Sequence, residues 1–405
     1  TATQAISISI LNVSPPSEIA SISIGISAYG ASNARASGDG STIALTTNGT
    51  SSTPVVSIYS LVNSDLQLDQ QISFSSSNYG YQRPYLDLNH DGDVILFAAD
   101  SSDLCWHIYR KASGSWNNAN SDRWYSSSPG RCRNQNWSGD KNYSAALNKT
   151  GDRFVIGSLW GSEKRVTSWV YDSSSQNWGS NVVLYGTQPY FGDAVSISND
   201  GTRIAFSDPV ANNGIYETYA RIYEYSGSQW SEIGSMLFDH DAWSREKSLA
   251  LSGDGTTVAV TRRLSGDTGT LCGNHRGRVQ IYRYSGSGTS WNQLGDDILG
   301  ESQNDCSRQT STGIYRNPAE ELGYSLALSE DGNRIVLGGP FYGDNDVGRV
   351  LIYDYNGSGW TQKADDLIGT ENEGNFGQVV ELSDNGSTLV VGSQNNQHVF
   401  QITSD

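Results

Sequence analysis

A nine-residue pattern recurs seven times along this chain, and it constrains the fold more than any other feature. It reads SGDGSTIAL at Ser37, NHDGDVILF at Asn89, NKTGDRFVI at Asn148 and SNDGTRIAF at Ser198, then SGDGTTVAV at Ser252, SEDGNRIVL at Ser329 and SDNGSTLVV at Ser383. Each copy holds a turn glycine: Gly40, Gly92, Gly151, Gly201, Gly255, Gly332 or Gly386. Asp-Gly and Asn-Gly pairs supply the positive φ angles of tight hairpins, and a Ser or Asn just before them can hydrogen-bond the turn backbone. An apolar segment flanks each turn on both sides, so every copy predicts a hairpin. The spacing is about 58 residues, stretched to 77 between Gly255 and Gly332.

Two further markers share this period. An aliphatic-aromatic pair follows each turn: Ile58-Tyr59, Ile108-Tyr109, Val170-Tyr171, Ile222-Tyr223, Ile281-Tyr282, Ile352-Tyr353 and Val399-Phe400. In five units a Ser/Gly-rich turn then leads to Trp116, Trp178, Trp230, Trp291 or Trp360. Each unit therefore reads as four short strands, A to D, with the Trp opening strand D. Units of this length built from four strands are propeller blades, and no helical periodicity of useful length competes. The expected fold is all-β: a seven-bladed β-propeller of four-stranded antiparallel blades.

The last unit supplies strand A (Gln378–Ser383), strand B (Thr388–Val391) and strand C (His398–Thr403) before the sequence stops at Asp405. Its fourth strand must come from elsewhere, and Ile19–Ser27, IASISIGIS, is assigned as that closing strand. Sharing a blade between the two chain ends removes an exposed edge. This gives two parts: an N-terminal extension, 1–17, and a propeller, 18–405. The extension holds the alternating segment Ala2–Asn12 and an SPPS spacer, Ser14–Ser17. It reads either as a fifth strand on the last blade or a tail, or as a strand donated to a neighbouring molecule, building dimers or filaments.

The unit LGYSLALSEDGNRIVLGGPFYGDNDVGRVLIYDYNGSGWTQKADDLIG (Leu322–Gly369) resembles the phenylalanyl-glycyl-glycyl-alanyl-prolyl (FG-GAP) repeat of seven-bladed propellers such as integrin alpha-chain heads. The "FG" element is Phe191-Gly192 and Phe376-Gly377, with looser forms at Tyr29-Gly30, Tyr79-Gly80 and Gly323-Tyr324. The "GAP" element is Gly338-Gly339-Pro340, echoed by Ser207-Asp208-Pro209. The resemblance covers about residues 19–405 and implies an extracellular adhesive or surface role, usually without catalysis.

Calcium-binding members carry a D-x-[DN]-x-D-G-type loop of converging carboxylates. Only the second unit approaches it, with Asp87, Asn89, Asp91 and Asp93, and there Ile95 stands where a final Asp would bind. The other units place Arg35, Ala146, Ser196, Ala250, Ala327 and Glu381 where Asp87 stands. A structural turn and a calcium site both remain open here, the turn being favoured.

Because strands alternate in direction, A–B and C–D turns share one face, and B–C and D–A connections share the other. That second face receives the long insertions 117–141, 262–276 and 301–321. Cys105, Cys132, Cys272 and Cys306 form two local pairs without a C-x-x-C, and the five histidines, His90, His107, His240, His275 and His398, are scattered, so the sequence disfavours a zinc site. Bridges Cys105–Cys132 and Cys272–Cys306 are expected, each pinning a long loop. Trp124, Tyr125, Trp137, Tyr143, Trp160 and Trp243 collect on the same face, with Arg123, Arg131 and Arg133 among them. Such residues pack a loop core, meet a protein partner or stack on sugar rings as in a lectin, and all three readings stay open.

Sequons occur at Asn12, Asn48, Asn136, Asn142, Asn148, Asn356 and Asn385. With the cysteines, and with Thr1 rather than Met at the start, they lead us to expect a secreted glycoprotein whose leader has been removed. A formal net charge of −17 opposes nucleic acid and anionic lipid, and no run of 18 apolar residues predicts a membrane span. G-x-S-x-G, H-E-x-x-H, Walker and Rossmann signatures are all missing. The acid pairs Asp239/Asp241, Asp296/Asp297 and Asp365/Asp366 sit near strand ends, where exposure explains them. The expectation is a non-enzymatic structural or adhesive surface protein with protein partners, itself among them; the alternative is a glycan-binding propeller.

Overall fold

Strand B of each repeat carries a continuous apolar run and is buried along most of its length, as in Thr257–Arg262, where the first five residues are buried. A strand with no polar face must be covered on both sides, and the computed structural model shows how. It describes residues 16–23, 34–48, 54–73, 85–99, 105–118, 144–160, 163–175, 177–186, 188, 191–212, 215–239, 248–262, 276–301, 320–370, 374–394 and 396–403. These form seven antiparallel sheets, each with its strands in the order A-B-C-D. Five carry four strands, and two carry a further short strand, Ile298–Leu299 or Leu367–Ile368, beside strand C.

The strands A are Ala34–Ala36, Tyr85–Leu88, Ser144–Leu147, Val195–Ile197, Leu249–Leu251, Ser325–Leu328 and Val379–Leu382 for blades 1 to 7. Each touches the strand A of the next blade, and that of blade 7 touches that of blade 1, so they form a closed inner ring. The fold is a seven-bladed β-propeller. Among the described residues, no helix is long and apolar enough to cross a membrane.

The core lies in the seams between blades. Seven buried clusters fill the seven interfaces, as where Ala44, Val56 and Ile58 of blade 1 meet Leu86, Ile95 and Phe97 of blade 2. The repeated Trp belongs to these seams. Trp291 Nε1 donates to the Ile233 carbonyl of blade 4 (2.9 Å), and Trp360 Nε1 to the Leu294 carbonyl of blade 5 (2.7 Å). Within its own hairpin the Trp packs on a strand-C tyrosine, as Tyr171–Trp178 at 5.2 Å and Tyr355–Trp360 at 5.5 Å between ring centroids.

Closure occurs in blade 7. Ser17–Ser23 pairs antiparallel with strand C, Asn396–Gln401, in a register running from Ser17↔Gln401 to Ser23↔Asn396 with a bulge between Glu18 and Ala20. The expected closing strand is thus present but begins two residues earlier than Ile19, which places Ser17 in the propeller rather than the extension. Residues 24–27 of the expected strand, and Ala2–Asn12, lie outside the described residues.

Candidate functional site

Each A–B turn is held by its own side chains. Ser198 Oγ accepts the Arg203 N–H (2.9 Å) and donates to Asp200 (2.6 Å), which accepts the Thr202 N–H (2.8 Å); Ser252 and Ser329 repeat the arrangement. Burial pushes these aspartates up, but the Ser and backbone donors prevail and hold Asp39, Asp200 and Asp331 below the usual carboxylate range. The seven turn glycines have φ between 62° and 72°. They also stand against the preceding blade: a Cβ on Gly332 would overlap Thr257, and one on Gly151 would approach Val94.

The turns are then stitched into a circle. Gly38 N–H donates to the His90 carbonyl (2.8 Å), Asp91 to Lys149 (3.2 Å), Lys149 to Asn199 (3.0 Å) and Asn199 to Gly253 (2.7 Å). Asp254 donates to Glu330 (2.9 Å), Glu330 to Asp384 (2.9 Å) and Asp384 back to Gly38 (2.7 Å). Every seam thus carries one backbone hydrogen bond at the mouth of the central channel.

The carbonyls of this circle belong to the second residue of each turn, and four of the side chains there meet on the axis. His90 of blade 2 contacts the carboxylate of Asp384 in blade 7. Asn199 of blade 4 donates to Glu330 of blade 6 (3.2 Å) and to Asp384 (3.1 Å). Burial pushes the Asp384 carboxyl up, against the pull of His90. Donor atoms of His90, Glu330 and Asp384 all lie within 4.8 Å of one another, the one such group of His, Cys, Asp or Glu among the described residues that could hold a metal.

Deeper in the channel, the mid-strand residues of strands A form a second level. Arg35 bridges blades 1, 2 and 7, donating from Nε to Asp87 (3.0 Å) and from Nη1 to Glu381 (2.5 Å). Asp87 also accepts the Leu147 N–H of blade 3 (2.6 Å), as Ser196 accepts the Leu251 N–H of blade 5 (3.0 Å). Burial raises Asp87 with Arg35 opposing, and burial pushes Glu381 up to about 7 despite Arg35. At the far end, Ser144 Oγ donates to the Gly192 carbonyl and Ser325 Oγ to that of Gly377, both at 2.8 Å. The Phe-Gly element is therefore a seam contact, and a Cβ on Gly157 or Gly338 would strike the Gly192 or Gly377 carbonyl.

On the opposite face, one buried network stands out. Arg349, 5% exposed, donates to Glu320 (2.5 Å), which is itself wholly buried, to Glu301 (3.0 Å) and to Asp366 (2.6 Å), and lies 4.0 Å over the Tyr342 ring. Glu320 also accepts the Glu301 N–H (2.6 Å). The two glutamates flank residues 302–319, so this arginine ties both ends of that connection to blade 6. Burial pushes Glu320 up, with Arg349 opposing; Arg349 is raised by its carboxylates against its own burial.

The residues of the calcium-like loop turn to different partners here, as the structural-turn reading expects. Asp87 faces Arg35, while Asn89 caps its turn, accepting from Asp93 N–H (3.0 Å) and Val94 N–H (2.6 Å) and donating to the Asp93 carboxylate (2.8 Å). Asp91 stands beside His90 instead. Asn89 fills the place Ser holds in five of the seven turns, and its side chain is spent on the turn itself. Asn148 does the same with Arg153 N–H (2.9 Å) and is 4% exposed, so this sequon is a buried cap rather than a sugar acceptor. Asn356 and Asn385 are exposed turn residues.

Two of the acid pairs have a member in a salt bridge, Asp297 with Arg278 (2.6 Å) and Asp366 with Arg349 (2.6 Å), while Asp241 lies outside the described residues. Trp124, Tyr125, Arg131, Trp137, Tyr143 and Trp243 lie outside the described residues, as do Cys132, Cys272, Cys306, Asn12, Asn136 and Asn142. Trp160, Cys105 and Asn48 belong to described strands, but nothing is described of their side chains. The axial residues His90, Asn199, Glu330 and Asp384 were missed by motif reading. The available signal was one variable position, Gly, His, Lys, Asn, Gly, Glu and Asp in turn, inside an otherwise regular pattern.

No protein-family model matches the sequence, and no curated protein matches it. Solved structures do. The C-terminal WD40 domain of Sif2 is similar with a TM-score of 0.56 at 12% identity, covering 97% of this chain and 99% of that one. The β-propeller domain of Myceliophteria thermophila Cps50 (Swd1) gives 0.55 at 12%, over 96% and 100%. A putative 6-phosphogluconolactonase from Bacteroides fragilis gives 0.52 at 12%, over 83% of each chain. At such identities the likeness is one of fold.

Proposed function

We propose that this chain is a non-catalytic, extracellular propeller of the FG-GAP kind, a structural or adhesive surface protein that binds protein partners, copies of itself included. The supporting observation is the division of labour between its faces. Channel side chains are engaged with one another across blades, and the strand ends joined by the long, unequal connections lie on the opposite face. A rigid scaffold carrying variable connections on one side is the usual arrangement for recognition. Two solved propellers similar in fold are named for WD40 and propeller domains rather than for a reaction. In this reading the bridges Cys105–Cys132 and Cys272–Cys306 hold the long connections.

The route to assembly is the N-terminal segment. Ser17–Ser23 is the outermost strand of blade 7, so the described chain begins at the rim, where a strand can add to a neighbouring sheet edge. Light scattering and electron microscopy of the full chain, beside a chain lacking residues 1–15, test this. The full chain is expected to form dimers or longer arrays, and the shortened one a folded monomer. A full chain that stays monomeric at high concentration overturns the assembly reading.

A further inference from the structure

The turn-face mouth of the channel carries a donor set that the scaffold alone does not need. The circle of backbone hydrogen bonds already joins the seven blades there, yet an imidazole and two carboxylates from blades 2, 6 and 7 are brought together on the axis. We propose that His90, Glu330 and Asp384 form a binding site for a divalent transition-metal ion of the zinc class.

The geometry supports this in four ways. Donors about 2.0–2.2 Å from one ion stand at most about 4.4 Å apart, and these three atoms already lie within 4.8 Å, so small side-chain rotations close the set. The His90 ring has its Nδ1 3.3 Å from Asp91 Oδ1 and its Nε2 toward Asp384. In the loaded site, an Nδ1–H donated to Asp91 would leave the Nε2 lone pair for the ion, the carboxylate–histidine arrangement that orients metal-bound imidazoles. Asn199 holds both carboxylates from a fourth blade. Finally, Gly38 and Gly253 clear the space: a Cβ on Gly38 would overlap the His90 ring, and one on Gly253 would crowd Asn199 and Glu330.

The chemistry selects the ion. Calcium and magnesium favour all-oxygen cages, whereas a nitrogen with two carboxylates suits zinc and its neighbours. The net charge of −17 favours cation approach, and a rigid backbone circle presents the ligands with little reorganisation. Lys149 occupies the same turn position in blade 3, so the site competes with an internal cation, and binding must be measured.

Zinc chloride and calcium chloride are titrated into the full chain by calorimetry, with cobalt absorption as a spectroscopic probe. One zinc per chain is expected, with calcium failing to compete. His90→Ala and Glu330→Gln should each weaken zinc by about 100-fold or more, beyond the usual effect of supporting residues. Glu330 is exposed, so its variant keeps the fold, which thermal unfolding without metal verifies. Zinc should raise the melting temperature of the parent chain and leave that of Glu330→Gln unmoved. Absence of stoichiometric zinc binding, or binding that survives both substitutions, overturns the site.

Discussion

The two faces of this ring obey different rules. On the turn face, seven hairpins of near-identical sequence use one set of side-chain caps and one hydrogen bond per seam. On the other face, the connections differ in length, and cohesion comes from particular clusters such as Arg349 with Glu320, Glu301 and Asp366. Uniform local rules make a closed ring because each seam must turn through the same angle. Where the rules lapse the chain is free to vary, and there a buried charge network has to do locally what the repeat does elsewhere.

The largest expected effect comes from breaking that network. Arg349→Ala removes the cation facing Glu320, whose side chain is 0% exposed, and leaves a carboxylate buried without its charge partner. Losing one member of a buried ion pair costs about 3–5 kcal/mol. Urea unfolding should show a drop of that size, with Glu301→Gln changing little because Glu301 is 61% exposed. An Arg349→Ala midpoint matching the parent would mean that the irregular face is not secured by this cluster.

The regular face breaks differently. Gly332 has φ of 63° and sits against Thr257 of blade 5, whereas Gly114 has φ of 82° at a rim hairpin with nothing within 4 Å. Gly114→Ala should cost about 1 kcal/mol, from backbone strain alone. Gly332→Ala adds overpacking of a seam and should cost about 3 kcal/mol. Equal losses would show that the turn glycines serve only their own hairpins.

The same contrast explains what could be read from the sequence. Blade number, strand order and the closing strand followed from the recurring turns with the aromatic and Trp markers after them, and from the strand the last unit lacks; these signals act within a few residues. The repetition of Trp291 and Trp360 marked them as structural, and their hydrogen bonds to the neighbouring blade show the seam they serve. The cluster of His90, Glu330 and Asp384 did not, because its members are 54 to 294 residues apart in sequence and no local spacing announces a meeting on the axis. The partner of Asp87 was hidden for a related reason. Its neighbours resemble a calcium loop, but a strand-A side chain faces the channel, where Arg35 from another blade awaits it.

The smallest effect concerns pH and separates the channel wall from the turns above it. Burial, against the pull of Arg35, pushes the Glu381 carboxyl from 4.5 up to about 7. Between those values the folded chain holds a proton that the unfolded chain has released, so this residue's contribution to stability falls as pH rises through the window and levels off above it. The turn aspartates act in the opposite sense. Asp39, Asp200 and Asp331 are held below 3.8, so they stabilise the fold above that value and lose the contribution as pH falls into the acid range. Glu381→Gln keeps the shape and discards the titration. Its urea midpoint should match the parent near pH 5 and exceed it near pH 8, the gap opening between them. Asp87 and Asp384 titrate in both chains, so the difference reports Glu381. Parallel curves from pH 5 to 8 would place the Glu381 charge in contact with solvent and remove the channel wall from the acid–base behaviour of the ring.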